Sequence, residues 1–141
     1  MIDKSSFIGT WQLKSFVLHY ANGNLIYPYG ETAIGYIIYT ICDHMSVQIM
    51  RYKRDKCVMY DHRDATLTEK IEIADNYMGY SGKYRIMNNT NTIIHYPEVS
   101  SFPNLIGTRQ KRKYTLVDNK LILVAKQPDN KFFSRLVWLM I

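Results

Sequence analysis

The side chains of this sequence best suited to acid–base work are His95 and Glu98, which fall in the segment Asn91–Val99 with Pro97 between them. A histidine beside a carboxylate is a tunable general base, because its charge change lies near neutral pH and a nearby negative charge moves it. Their spacing works against the pairing. In a regular strand Ile93, His95, Pro97 and Val99 share one face, and Thr92, Ile94, Tyr96 and Glu98 share the other. Both would face inward only across a bulge, and Pro97, which has no N–H to give to a ladder, is where a bulge costs least. The alternative for His95 is a structural imidazole hydrogen-bonded in the wall of the fold.

A second set suits binding. Tyr80 and Tyr84 share a strand face with Gly82, and together with Tyr36 they could line a wall for a flat or oxygenated ligand, or pack in a core. In His44–Tyr52 the residues Met45, Val47, Ile49 and Arg51 share a face that reads as core. Ser46, Gln48 and Met50 share the other, so Ser46 and Gln48 either meet water or lend polar groups to a cavity. Arg51 ends the strand, within reach of a cavity mouth or of solvent. The candidate ligand-binding residues are therefore Tyr36, Gln48, Arg51, Tyr80, Tyr84, His95 and Glu98, with His95 and Glu98 also the candidates for catalysis.

Other chemistries find no support. No phosphate-cradling loop, nucleotide fingerprint, serine nucleophile elbow or zinc-like spacing occurs. None of His19, His44, His62 and His95 stands out as a haem ligand, so no cofactor and no metal are expected. Cys42 and Cys57 lack the number and spacing of a disulfide framework and read as reduced structural thiols.

Composition bounds the rest. A chain of 141 residues that is 47% hydrophobic and 21% charged has the balance of one soluble globular domain. No apolar stretch is long enough for a membrane helix or a signal peptide, which points to the cytoplasm. The net charge of +6 is densest at Arg109, Lys111, Arg112 and Lys113. That run lies in a predicted strand without any nucleic-acid-binding signature, so a solvated strand face with edge protection accounts for it and nucleic acid is not the expected partner. Oligomeric state does not follow from the sequence.

The elements that must position these side chains are nearly all strands. Runs rich in β-branched and aromatic residues predict strands at Thr10–His19, Ile34–Thr40, His44–Tyr52, Ser81–Met87, Asn91–Val99, Thr108–Val117, Lys120–Ala125 and Phe132–Met140. Between them stand turn chemistries such as Ala21-Asn22-Gly23-Asn24, Cys42-Asp43, Asn88-Asn89 and Asp118-Asn119. From Asp64 to Tyr77 the period changes: Leu67, Ile71, Ala74 and Met78 recur at helical spacing, and Thr66-Leu67-Thr68-Glu69 forms a capping box. The polar stretch Lys53–Arg63 before it reads as a mobile loop and a candidate lid. The expected fold is all-β: a single up-and-down antiparallel barrel of about eight strands, spanning residues 1–141, with one short helix at about 65–78.

Near the N-terminus, Gly9-Thr10-Trp11 stands where lipocalin-type barrels carry a G-x-W motif. Glycine lets the backbone turn into the first strand, and the indole is large enough to plug a barrel end. With the ordered blocks Gly35–Thr40, Met45–Arg51, Tyr80–Tyr84 and His95–Thr108, the chain resembles the bacterial and fungal lipocalin-like domain family over almost its whole length. The resemblance implies a lipocalin-like barrel in which an arginine near the last strand, here Arg135, packs across Trp11. It departs from the family pattern at Pro97. Barrel and tyrosines together point to the binding of a small, partly apolar molecule. The alternatives are a small cyclase or isomerase using His95 or Glu98, and an interaction module without a cavity.

Overall fold

The computed structural model describes residues 2–141. The strands run in chain order as β1 (Gly9–Tyr20), β2 (Leu25–Ile26), β3 (Ile34–Tyr39), β4 (His44–Met50), β5 (Tyr77–Met87), β6 (Thr92–Ser100), β7 (Gln110–Val117), β8 (Lys120–Lys126) and β9 (Phe132–Met140), with helix α1 (Leu67–Asp75) between β4 and β5. Each long strand pairs antiparallel with its neighbour, and β1 pairs with both β3 and β9, so the sheet closes on itself. Closure gives every long strand a ladder partner on both sides. β2 adds only a two-residue ladder to the far end of β1, where Leu18 meets Ile26 and His19 meets Leu25.

Side-chain alternation builds the interior. On β3, Gly35, Ile37 and Tyr39 are buried while Ile34, Tyr36 and Ile38 are exposed, and on β4 Met45, Val47 and Ile49 are buried. One end of the barrel is plugged. The chain enters through a 3₁₀ turn at Lys4–Ser6 that lays the fully buried Phe7 against Tyr39 and Tyr114, edge to face. Trp11 stacks the plug further in and donates its Nε1–H to the carbonyl of Phe7 at 2.9 Å. Gly9, at φ +138°, makes the bend that brings the plug under β1, a conformation that L side chains rarely adopt.

The connections at this closed end are tight turns, with Asp43, Asn91 and Asp118 in left-handed conformation. Those at the opposite end are long: residues 21–33, 51–76, 101–109 and 127–131. Any route into the barrel lies among them. Among the described residues, no helix is long and apolar enough to cross a membrane.

Three expectations need correction. The helix is shorter than its periodicity suggests: Tyr77 and Met78 belong to β5, where they pair with Met50 and Ile49. The capping box is present, with Thr66 and Glu69 bonded reciprocally. Yet the apolar stripe does not face the body, since Leu67 is 77% and Ile71 53% exposed, and it is Glu69, Ile73 and Asn76 that are partly covered. Second, Arg135 does not pack across Trp11. Trp11 pairs with Met140 on β9, whereas Arg135 pairs with Val17, six residues farther along β1, and lies on the face opposite Ser134 and Leu136. Third, the basic run is not one solvated face. β7 is an interior strand of the sheet, and alternation turns Lys111 and Lys113 outward but Arg112 inward.

Candidate functional site

The inward faces of the strands leave a cavity of about 80 Å³ toward the open half of the barrel. Apolar side chains form most of its wall: Phe16 from β1, Ile37 from β3, Val47 and Ile49 from β4, Met78 from β5, Leu136 from β9. The polar members are Tyr80, His95, Arg112, Ser134 and the indole of Trp138. An apolar chamber with a few convergent polar groups is the usual form of a small-molecule site, although ordinary pockets of that kind measure about 300–1,000 Å³.

His95 is the centre of the polar group. It is buried, 1% exposed, and both ring nitrogens are engaged: Tyr39 Oη lies 2.7 Å from Nε2, and Tyr80 Oη lies 2.7 Å from Nδ1. Burial drives the imidazole well below the ordinary histidine range, and the positive charge of Arg112 pushes it the same way. The ring is therefore neutral. A neutral imidazole carries one N–H and one lone pair, so one tyrosine donates to it and the other accepts from it. Burial also raises both phenols, Tyr39 well above the usual range, while Arg112 opposes the rise at each. Burial thus holds the tyrosines and the histidine in uncharged form.

Two donors on the same wall are differently placed. The Arg112 guanidinium is half-buried, and its bonds go to the carbonyl of Lys111 at 3.1 Å and to Gln110 Oε1 at 3.3 Å. No carboxylate pairs with it among the described residues. Trp138 is fully buried, and its Nε1–H has no hydrogen-bond partner among the described residues. Leaving a buried donor unpaired costs about 1–3 kcal/mol, so such a group marks a place where a partner fits.

The sequence candidates divide by strand face. Tyr80 and His95 come together on the cavity wall. Tyr84 also points inward but lies toward the plug, where it donates to the carbonyl of Thr40 at 2.7 Å and edges against Tyr39. Tyr36 and Gln48 point outward and meet Tyr77 along a surface groove. Ser46 bonds Ser81 on the outside wall at 2.7 Å. Arg51 is exposed at the open end, its Nε donating to Asn76 Oδ1.

A bulge does occur beside Pro97. Gly82 pairs with Pro97 and Ser81 with Val99, leaving Glu98 as the extra residue. It depends on Gly82, since a Cβ there would fall 1.9 Å from the Tyr96 carbonyl oxygen. The bulge does not turn Glu98 inward: Glu98 is exposed while His95 is enclosed, so the two form no acid–base pair.

Sequence reading missed Arg112 and Trp138. The signal was present: Arg112 alternates with Tyr114 and Leu116, and Trp138 with Ser134 and Leu136, each on the inward set of its strand. Among the described residues, no cluster of histidine, cysteine, aspartate or glutamate could hold a metal ion.

The chain is 34% identical over 90 residues, covering 60% of this chain and 81% of the relative, to the 4'-hydroxy-3'-methoxypropiophenone carrier protein of Aspergillus oryzae. A redesigned β-barrel superposes over 97% of this chain and 93% of its own, at 12% identity and a TM-score of 0.49. The model of the lipocalin-like domain matches residues 8–139, and the chain belongs to that family.

Proposed function

We propose that this barrel is a carrier that holds a small, partly apolar molecule in its interior. The observation that supports it most is the interior cavity lined by Phe16, Met78 and Leu136 together with Tyr80, Arg112 and Trp138. The carrier relative adds a chemical hint, because its named cargo is a phenolic aryl ketone. An aromatic ring of that size needs more than 80 Å³. Met78, unbranched and adaptable, together with Phe16 and Leu136 at the open half, must move to admit it.

The test is a titration with 4'-hydroxy-3'-methoxypropiophenone followed by calorimetry and by tryptophan fluorescence, since Trp138 lines the cavity. Saturable binding of one molecule per chain is expected, with quenching that saturates at the same ratio. Absence of saturable binding by this compound and by related aryl ketones would overturn the reading. The enzymatic alternative lacks a base: both nitrogens of His95 are taken by tyrosines, and Glu98 lies outside the barrel.

A further inference from the structure

Resting on the interior-binding reading, we propose that the cavity selects aromatic molecules carrying one negatively charged oxygen, a phenolate or a carboxylate, and that Arg112 is the residue that receives it. The argument is one of charge and of unmet donors. Arg112 is the one charged side chain on the cavity wall, and among the described residues no acid accompanies it. A guanidinium cannot give up its proton, so a half-buried one facing an apolar chamber is matched by an anion brought from outside. The two bonds it makes, to Lys111 O and Gln110 Oε1, involve neutral acceptors and hold the fork in place without neutralising it.

A second, independent observation points to the same kind of ligand. The indole N–H of Trp138, fully buried on this wall, also lacks an acceptor among the described residues. The cavity wall therefore holds a cationic donor at its surface and, buried within it, a neutral donor without an acceptor. Its other large groups are apolar, its imidazole is held by Tyr39 and Tyr80, and the neutral Tyr80 hydroxyl also lies against Arg112. A ligand with a charged oxygen for Arg112, an apolar ring against Met78 and Leu136, and a further carbonyl oxygen for Trp138 satisfies each in turn.

Three probes of one shape separate the possibilities: para-hydroxyacetophenone, which ionises; para-methoxyacetophenone, which does not; and para-acetylbenzoate, which is charged throughout the neutral range. Dissociation constants would be measured by calorimetry from pH 6 to 9 on the full chain and on Arg112→Met and Arg112→Lys. For the hydroxy compound the affinity should rise about tenfold per pH unit below its own pKa and then level off, as expected when only the anion binds. The methoxy compound should bind weakly and without pH dependence, and the benzoate tightly across the range. Arg112→Met should cost the two anions at least about tenfold while leaving the methoxy compound unchanged, and Arg112→Lys should retain part of the preference.

Which anion binds better assigns the class as phenolate or carboxylate. Equal, pH-independent binding of all three to the unaltered protein overturns the anion proposal while leaving interior binding intact. Failure of all three to bind overturns both. The pH series on the unaltered protein needs no variant, so a misfolded Arg112→Met would not shelter the proposal.

Discussion

The phenol of Tyr39 reaches across the barrel to His95, 2.7 Å from Nε2, although β3 and β6 are separated in the sheet by two strands. Such a bond ties opposite walls together in a way that ladder pairing does not. Tyr39→Phe keeps the ring and removes the oxygen, leaving one nitrogen of a buried imidazole without a partner. The expected loss is about 1–3 kcal/mol of unfolding free energy, measured by urea denaturation at neutral pH. A loss below a few tenths would mean the bond is not formed in solution.

His95 also predicts a pH dependence of stability. Its folded-state pKa lies well below its unfolded value, so the unfolded chain binds a proton at a pH where the folded one does not. The stability held by the neutral ring is complete above the unfolded pKa of about 6.5 and is lost as pH falls below it, at about 1.4 kcal/mol per pH unit until the folded pKa is reached. The phenols that face the ring, Tyr39 and Tyr80, are raised by burial and stay protonated throughout this window. Unfolding at pH 7 and pH 5 should therefore differ more in the unaltered protein than in His95→Gln. Equal differences would contradict the assignment.

Removing the uncompensated charge should help the empty barrel. Arg112→Met deletes a half-buried guanidinium that has no acid partner and substitutes an apolar chain that fits the neighbouring wall. The apo thermal midpoint is expected to stay the same or to rise, because a half-buried charge without an acid partner costs stability. A fall of several degrees in differential scanning calorimetry would show that Arg112 is structural.

Gly82 carries the bulge at Glu98, and its substitution should be among the most damaging in the chain. A methyl group there meets backbone, the carbonyl of Tyr96, rather than a flexible side chain that could swing away. Gly82→Ala is expected to cost more than about 3 kcal/mol, beyond the usual range for overpacking. Circular dichroism melting would read the loss, and a near-native midpoint would show that the bulge relaxes without it.

Much of the barrel was legible because period-2 alternation runs through β3, β4 and β8, and because Asp43, Asn91 and Asp118 announce tight turns. The start of β5 was not legible. Met78 sits at helical spacing from Ala74 and at strand spacing from Tyr80, and only its pairing with Ile49 decides between the two. The site was half legible for a related reason. Alternation places His95, Tyr80 and Arg112 inward, but which inward residues meet depends on how strands tilt around a closed barrel, which no single segment records. Basic neighbours drew Arg112 into a surface cluster on paper. The pleat separates it from them.

The central claim is that the ligand enters the barrel rather than an outer groove, and one comparison tests it most directly. Leu136→Trp fills the cavity from the inside, whereas Gln48→Ala alters the outer groove shared with Tyr36 and Tyr77. Calorimetric titration of both folded variants with para-hydroxyacetophenone is predicted to show binding abolished by Leu136→Trp and unchanged by Gln48→Ala. Binding that survives the filled interior and is lost with Gln48 would place the ligand outside and contradict the account.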